Sequence, residues 1–139
     1  DQQFHSCPNL AEKLMIEVTE HIVSYNEAAL NSLSMMAQRH GFKLSIERFG
    51  VSSVPFAYLQ RVHIDTIKVD HSFIRNVQSN QSNQFFLRSA IQIAHGQSIK
   101  VVAVGVETED EWEMLKALGI DGAMGYHLQR PRENKVFGG

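Results

Sequence analysis

The stretch SIERFG, Ser45 to Gly50, brings an acid and a base together at the end of an apolar strand. The residues FKLSI before it predict a buried strand, and Gly50 predicts a turn directly after it. A buried strand ordinarily ends in something apolar, whereas this one ends in Glu47 and Arg48. The pair raises three alternatives: a catalytic site, the remnant of one, or an ordinary ion pair.

Short apolar strands alternate with helical segments on both sides of this stretch. Strands are predicted over residues 14–20, 42–50, 64–70, 99–107 and 120–128. Helices are predicted over residues 26–41, 83–96 and 108–119, with a short helical turn over residues 54–62. The helix boundaries rest on an N-cap, a capping box and three glycine stops, namely Asn26, Thr108 with Glu111, Gly41, Gly96 and Gly119.

This order of elements predicts an α/β fold. The strands are short, β-branched and apolar on both faces, which is typical of a parallel sheet covered by helices. Two architectures satisfy the pattern, an open doubly wound sheet and a (β/α) barrel. The sequence contains neither GxGxxG nor GxxxxGK[ST], so nothing local favours a nucleotide-binding Rossmann or P-loop domain.

Composition excludes several classes of protein. The chain has 139 residues, 20% of them charged, and a net charge of −2, which gives no reason to expect nucleic-acid or acidic-membrane binding. Cys7 is the only cysteine, so no internal disulfide forms. No apolar run approaches the ~20 residues of a membrane helix. The first residue is Asp1 and the last two are glycines, and we expect a piece of a larger protein.

Polar side chains stand at the carboxyl end of each predicted strand except the last. They are Glu17 and Glu20, Glu47 and Arg48, Lys68 and Asp70, and Glu107. The carboxyl ends of parallel strands meet at one edge, where α/β proteins build their sites. Carboxylates that converge there with a lysine suit a hard divalent cation and a phosphate ester. The alternative is a set of ion pairs and helix caps, which the pattern alone favours.

Five short motifs follow one another in a fixed order: IEVTE (16–20), ERFG (47–50), IKVD (67–70), AVGVE (103–107) and MGYHLQRP (124–131). Together they resemble the second half of the EAL-domain family, the bacterial cyclic-di-GMP phosphodiesterases. The resemblance implies a TIM-like (β/α) barrel, incomplete here because about five strands are fewer than the eight a barrel needs. Residues 1–139 would form the C-terminal portion of one degenerate EAL domain, with 1–13 as an N-terminal helix or irregular lead-in and 132–139 as a tail.

The resemblance assigns roles to five retained residues. Glu17 corresponds to a metal-binding glutamate, and Glu20 to one that steadies the neighbouring active-site loop. Glu47 stands where the family has its first metal-binding aspartate, and Lys68 corresponds to the lysine that orients the attacking water. Glu107 matches the second glutamate of the AEGVE motif.

Three positions depart from the family pattern. Arg48 replaces the second metal-binding aspartate, Val104 a catalytic-site glutamate and Met124 a glutamine. A cation beside the metal position repels a divalent ion, so we expect Arg48 to pair with Glu47 or Glu17 and fill the metal's place. The resulting prediction is a vestigial cleft: not an enzyme, and without metal or other cofactor. Mg²⁺ or Mn²⁺ is expected only under the alternative of a live phosphodiesterase.

Residues 83–125 resemble the degenerate GGDEF–EAL proteins of the CsrD/MshH type. That likeness implies a cytoplasmic domain of an inner-membrane-anchored bacterial protein that controls Csr small-RNA turnover or pilus biogenesis. Its partner would be another protein or the degenerate GGDEF domain of the same chain, with a homodimer as a further option. No direct nucleic-acid binding and no membrane contact are expected of this segment. Two alternatives stay open, a cyclic-di-GMP receptor that does not hydrolyse and a metal-dependent cyclic-di-GMP phosphodiesterase.

Several remaining residues are predicted to have structural roles. The histidines show no HxH or HExxH spacing, so no zinc site is predicted. Trp112 is interpreted as a packing residue of a helix face. Met35, Met36 and Met114 are predicted to fill gaps in the core.

Overall fold

The computed structural model describes residues 15–21, 26–51 and 56–125. The predicted lead-in at 1–13 and tail at 132–139 lie outside these ranges, as does most of the MGYHLQRP motif. No helix in the described ranges is long and apolar enough to span a bilayer.

Five parallel strands form one sheet within the described residues. They are β1 (Met15–Thr19), β2 (Lys43–Phe49), β3 (Thr66–Val69), β4 (Lys100–Val104) and β5 (Gly122–Met124), and they lie side by side in that order. A doubly wound sheet reverses its strand order at a switch point, whereas this order never reverses. The topology is therefore that of a segment of a (β/α) barrel, as the family resemblance implied.

Three α-helices connect the strands: α1 (Glu27–His40), α2 (Gln81–Gly96) and α3 (Glu109–Leu118). Short 3-10 turns occupy Phe56–Gln60, His71–Phe73 and Val77–Ser79. The Asn26 side chain accepts a hydrogen bond from the Ala29 N–H, and Thr108 with Glu111 forms the predicted capping box. These caps satisfy N–H groups that a helix start leaves unpaired, and they confirm the predicted starts of α1 and α3. The start of α2 is predicted at residue 83, but α2 begins at Gln81 because Asn80 is its N-cap.

One predicted helix end differs from the structure. Gly41 and Gly119 take the left-handed conformation expected of C-terminal stops, with φ of 78° and 97°. Gly96 instead belongs to α2, and the left-handed residue is Ser98, with φ of 61°. The Ile99 N–H then reaches the Ala94 carbonyl, so the chain turns toward β4 two residues later than predicted.

The hydrophobic core lies between the helices and one face of the sheet, called here the outer face. This face carries Leu44, Ile46, Ile67, Val69, Val101 and Ala103, each at most 1% exposed. Burying one such aliphatic side chain stabilises the fold by about 1.5–3 kcal/mol. Of the methionines, Met114 packs against this core, but Met35 is 54% exposed and Met36 lies at the surface. Their predicted core role is wrong because α1 buries only the stripe of Leu30, Ser34 and Ala37.

The opposite face, called here the inner face, is largely polar on β1 to β3. Register places on it Glu17 with Ser45, Ser45 with Thr66, and Thr66 with Lys100, along with Lys43, Glu47 and Lys68. The prediction of strands apolar on both faces is therefore wrong for β1 to β3, whereas β4 also carries Val102 and Val104 on this face, as predicted. A cavity of about 620 Å³ opens on it, lined by residues that include Met15, Lys43, Thr66, Lys100 and Met124.

Candidate active site at the carboxyl edge of the sheet

A β-bulge shapes the carboxyl end of β2. Ile46 pairs with Ile67 and Phe49 pairs with Val69, so three steps along β2 match two along β3. The extra residue sits at Arg48, whose backbone adopts a left-handed φ of 56°. Because of the bulge, Phe49 reaches the buried outer face while Glu47 stays on the inner face.

Glu17, Glu47 and Lys68 converge on the inner face at this edge. The Lys68 Nζ lies 2.5 Å from Glu17 Oε2 and 3.9 Å from Glu47 Oε2. The two carboxyl groups also share a hydrogen bond, as adjacent strands place Glu17 and Glu47 two residues apart in register. Three of the residues predicted for the site are therefore in direct contact, although they come from three strands.

The hydrogen bond between the carboxyl groups shifts the pKa values of Glu17 and Glu47 in opposite directions. That bond, followed by the hydrogen bond from Lys68, lowers the pKa of Glu17. The same bond to Glu17, followed by partial burial and by the charge of Glu17, raises the pKa of Glu47. The pair therefore keeps one proton, on Glu47, after Glu17 has ionised. Once that proton leaves, two negative charges face a single ammonium, and the cluster attracts a further cation.

Arg48 does not join this cluster. Its Nε donates a hydrogen bond of 3.3 Å to Asp70 Oδ1, and its side chain is 63% exposed. The prediction that Arg48 pairs with Glu47 or Glu17 is wrong. The bulge directs the Arg48 side chain away from the inner face, and Lys68 is the cation that lies beside both glutamates. Burial opposes ionisation of Asp70, but hydrogen bonds from Ser72 and Arg48 outweigh it and lower the Asp70 pKa.

Glu20 is a buried clamp behind the site. It is 1% exposed, and its carboxylate accepts hydrogen bonds of 2.8 Å from the Gly50 N–H and from the Tyr58 hydroxyl. Burial and the Glu20 carboxylate both raise the pKa of Tyr58, so the phenol stays a proton donor. The clamp joins the two ends of the segment that follows β2, which is the place where the resemblance put a loop-steadying glutamate.

Gly50 is needed at its position for two reasons. Its φ is 100°, and an added Cβ would lie 2.6 Å from the Phe73 ring and 2.8 Å from the Phe86 ring. Those two rings stack with centroids 4.2 Å apart. No L-residue with a side chain fits there without moving the stack, so the turn after the bulge is held in one shape.

The remaining predicted residues lie around the cluster and not in it. Glu107 Oε2 is 3.4 Å from Arg75 Nη2, and both side chains are about half exposed. Val104 and Met124 are register partners on β4 and β5. Val104 lines a cavity of about 210 Å³ together with the bulge and the end of β3, so it contributes an apolar wall beside the charged groups.

Glu17 and Glu47 fit two ligands of a hard divalent cation. Carboxylate oxygens are the donors that Mg²⁺ and Mn²⁺ prefer, and these two are already held together by their strands. Within the described ranges no group of three or more Asp, Glu, His or Cys side chains is assembled for a metal. Water and phosphate oxygens commonly fill the other positions around such ions.

Two residues that matter here were given no site role from the sequence. The sequence predicts Asp70 only as a polar strand end. A carboxylate one residue beyond a strand and directly before a turn also signals an N-cap, and Asp70 does cap the Ser72 N–H. Tyr58 had no sequence signal, because nothing links a tyrosine in a helical turn to a glutamate 38 residues away.

Comparison with known proteins places the chain among EAL domains. The EAL domain family matches residues 6–131. "Cyclic di-GMP phosphodiesterase NbdA" of Pseudomonas aeruginosa is 35% identical over 118 residues, covering 85% of this chain and 15% of that protein. "Cyclic di-GMP phosphodiesterase PdeF" of Escherichia coli is 34% identical over 122 residues, covering 88% of this chain and 16% of that protein. The chain thus spans less than a quarter of the length of these relatives.

Solved structures agree with the fold. The manganese and cyclic-di-GMP complex of BlrP1 from Klebsiella pneumoniae at pH 9.0 superposes with a TM-score of 0.80 at 31% identity, over 87% of this chain and 31% of that chain. The PaMucR phosphodiesterase in complex with c-di-GMP gives a TM-score of 0.79 at 28% identity, over 87% of this chain and 49% of that chain. The predicted TIM-like α/β fold is confirmed, and the chain covers the domain incompletely.

These relatives overturn the prediction that the chain is not an enzyme. Several proteins 30–35% identical to it are named cyclic di-GMP phosphodiesterases. The prediction gave decisive weight to three substitutions and assumed that Arg48 sits among the carboxylates. In the structure Arg48 is turned toward Asp70, and Glu17, Glu47 and Lys68 remain together.

Proposed function

The chain belongs to the EAL domain family, and from this premise we propose that its domain binds cyclic-di-GMP at the carboxyl edge and hydrolyses a phosphodiester bond with the help of a divalent metal ion. One observation carries the proposal: Glu17, Glu47 and Lys68 converge on the inner face, two carboxylates with one ammonium. This combination suits an anionic phosphodiester and a hard cation. The names of the relatives support the choice of substrate.

Each group of the cluster has a distinct task in this proposal. Glu17 and Glu47 would hold the ion, which when bound neutralises phosphate charge and makes a water molecule more acidic. The Lys68 ammonium is only 18% exposed and is fixed by Glu17, so its remaining N–H groups have a defined direction. They would orient a water molecule or a phosphate oxygen beside the carboxylates. The Glu20 clamp keeps the end of β2 and its bulge in position.

The raised pKa of Glu47 sets the pH at which the site can work. A carboxyl group must lose its proton before it binds a divalent ion, because the proton and the ion compete for the same oxygens. We therefore expect activity to rise with pH as Glu47 ionises and to fall on acidification while Glu17 is still charged. The acid side of the rate profile would report the pair and not either residue alone.

The finer inferences from the resemblance stay predictions. They are the likeness to CsrD/MshH-type regulators, a role in small-RNA turnover or pilus biogenesis, a protein or GGDEF partner, a homodimer and an inner-membrane anchor. Each concerns a whole protein, whereas this chain spans less than a quarter of the length of the curated relatives reported above.

The test is turnover of cyclic-di-GMP by the full-length protein that contains this chain, measured with Mg²⁺ or Mn²⁺ and with a chelator. We expect hydrolysis with either ion and none with the chelator. Glu17→Gln keeps the size of the side chain and should lower kcat by about 100-fold or more. Glu113→Gln, on an exposed helix position 58% accessible, is the matched control and should match the wild type. Wild-type protein without turnover, or full turnover by Glu17→Gln, contradicts the proposal.

A further inference from the structure

Arg48 occupies an unusual backbone position for its residue type. Its φ of 56° lies in the left-handed region, where a residue with a Cβ costs about 1–2 kcal/mol. Glycine would adopt this conformation without that cost, as Gly50 does two residues later with a φ of 100°. An energetically unfavourable conformation at an exposed arginine, 63% accessible at the edge of a candidate active site, points to a use for the guanidinium itself.

The guanidinium is held by one side and open on the other. Nε donates to Asp70 Oδ1. Asp70 is only 6% exposed, and its Oδ2 accepts from the Ser72 N–H, so its carboxylate is held in place. The contacts of Arg48 with the described residues involve Nε alone, so the Nη atoms donate to none of them. A guanidinium anchored through Nε presents its two Nη groups as a fork, the geometry that matches two oxygens of a phosphate.

Arg48 stands between two cavities. One, of about 210 Å³, is shared with Glu47, Lys68 and Val104. The other, of about 340 Å³, is lined by Arg48 with Thr19, His21 and Val51. Because Arg48 lines both cavities, a ligand with two linked phosphodiesters that binds beside Glu47 and Lys68 also adjoins the Arg48 guanidinium. Among the described residues that line the second cavity, Arg48 carries a permanent positive charge, and its Nη groups donate to none of the described residues.

We propose that Arg48 is an anion-binding residue of this site, whose Nη fork binds the phosphodiester of a cyclic dinucleotide that is not being cleaved. The inference rests on the proposed function for its ligand. It adds that Arg48 and Lys68 divide the two phosphates between them. The buried Asp70 carboxylate acts as a positioning residue, because it orients the fork and does not touch the ligand.

The experiment is calorimetric titration of the full-length protein with cyclic-di-GMP in the presence of a chelator, so that no turnover occurs. Arg48→Gln should weaken binding by about 10- to 100-fold, the usual loss for a hydrogen-bonded charge. Arg48→Lys keeps the positive charge but lacks the two Nη groups, so its affinity should lie between those of the wild type and Arg48→Gln. Arg88→Gln, an exposed arginine on α2, is the matched control and should bind like the wild type.

Salt gives a second readout that a merely structural role would not change. Raising ionic strength from about 0.05 M to about 0.5 M should narrow the gap between wild type and Arg48→Gln, because screening weakens the charged contact. Melting curves show whether Arg48→Gln folds, and if it does not, Arg48→Lys decides by whether its affinity falls.

The outcomes separate the two proposals. If the wild type does not bind cyclic-di-GMP, the proposed function is wrong and this inference falls with it. If the wild type binds and the folded Arg48 variants bind equally well, at both ionic strengths, only the inference about Arg48 is overturned.

Discussion

The two edges of the sheet use carboxylates in opposite ways. At the amino edge, Asp65 and Asp121 each stand directly before a strand and accept a backbone hydrogen bond from the preceding strand. Asp65 Oδ2 accepts from the Leu44 N–H at 2.8 Å, and Asp121 Oδ2 accepts from the Val101 N–H at 2.7 Å. At the carboxyl edge, Glu17 and Glu47 contact each other and Lys68.

This difference indicates that the amino-edge carboxylates stabilise the fold, whereas the carboxyl-edge carboxylates are available for chemistry. The amino-edge aspartates satisfy N–H groups at the starts of β2 and β4, so their charge is used by the fold. The same arrangement occurs twice, once between β2 and β3 and once between β4 and β5. The side chains of the carboxyl-edge glutamates contact charged groups and not backbone N–H groups at the start of a strand. When both are ionised they repel each other, which leaves their oxygens available to a cation. In barrels of this class the carboxyl face carries catalysis and the amino face carries stability.

The largest effect should come from the carboxyl edge. Lys68→Met removes the ammonium and keeps the length of the side chain, and we expect kcat for cyclic-di-GMP to fall by about 100- to 1,000-fold. The melting temperature should fall only modestly, because the change leaves no cavity and the two carboxyl groups relieve their repulsion by keeping one proton between them. Lys116→Met, at an exposed position of α3, is the control. Equal losses of kcat in both variants would remove the contrast between the edges.

The amino edge should show the reverse. Asp121→Ala leaves the Val101 N–H without its acceptor, and we expect the free energy of unfolding to fall by about 1–3 kcal/mol, measured by denaturant titration. Asp121→Asn retains a carbonyl oxygen that can accept this hydrogen bond, so its free energy of unfolding should fall less. The folded fraction of Asp121→Ala should keep the wild-type kcat, and a selective fall in kcat would place chemistry at the amino edge too.

Glu47→Gln tests whether the carboxyl edge carries repulsion. The folded-state pKa of Glu47 is raised, so its protonated form favours folding, and that stability is lost as pH rises through the folded pKa. The glutamine variant escapes this loss. We expect it to be more stable than the wild type by about 0.5 kcal/mol near neutral pH, and equal to it below about pH 4.5, the ordinary glutamate value.

Thermal melts of both proteins across this range, without divalent ions, measure the difference, and kcat should collapse in the same variant. A wild type that is more stable than Glu47→Gln at neutral pH would mean that Lys68 fully compensates the two negative charges.

The smallest effect is expected for a pair that also lies at the carboxyl edge but in solvent. Arg75 and Glu107 are about half exposed and 3.4 Å apart. Arg75→Ala should change the free energy of unfolding by less than about 0.5 kcal/mol, since exposed ion pairs contribute little. Chemical denaturation at low and high salt measures this free energy. A loss above about 1 kcal/mol would show that the ion pair with Glu107 contributes more to stability than its solvent exposure indicates.

Local sequence was sufficient for the elements and for the set of charged strand ends. Alternating apolar runs predicted the strands, and Asn26, Thr108 and Gly119 predicted helix boundaries that the structure confirms, since caps act within one turn of chain. The ordered motifs predicted the family. The prediction of an inactive domain, which rested on Arg48, Val104 and Met124 together, is overturned by the relatives. Its premise about Arg48 is also wrong, because Arg48 is a neighbour of Glu47 in sequence but pairs with Asp70.

Sequence by itself therefore determined which residues are strand, helix and charged strand end, because those properties depend on side chains a few positions apart. Tertiary structure alone decided which charges meet. The bulge that sends Arg48 to Asp70, the contact of Lys68 with Glu17 across 51 residues, and the Tyr58 hydroxyl on Glu20 all depend on strand register. Register is settled by the packing of the whole outer face, where a shift of one residue would bring Phe49 to the polar side and leave the core unfilled.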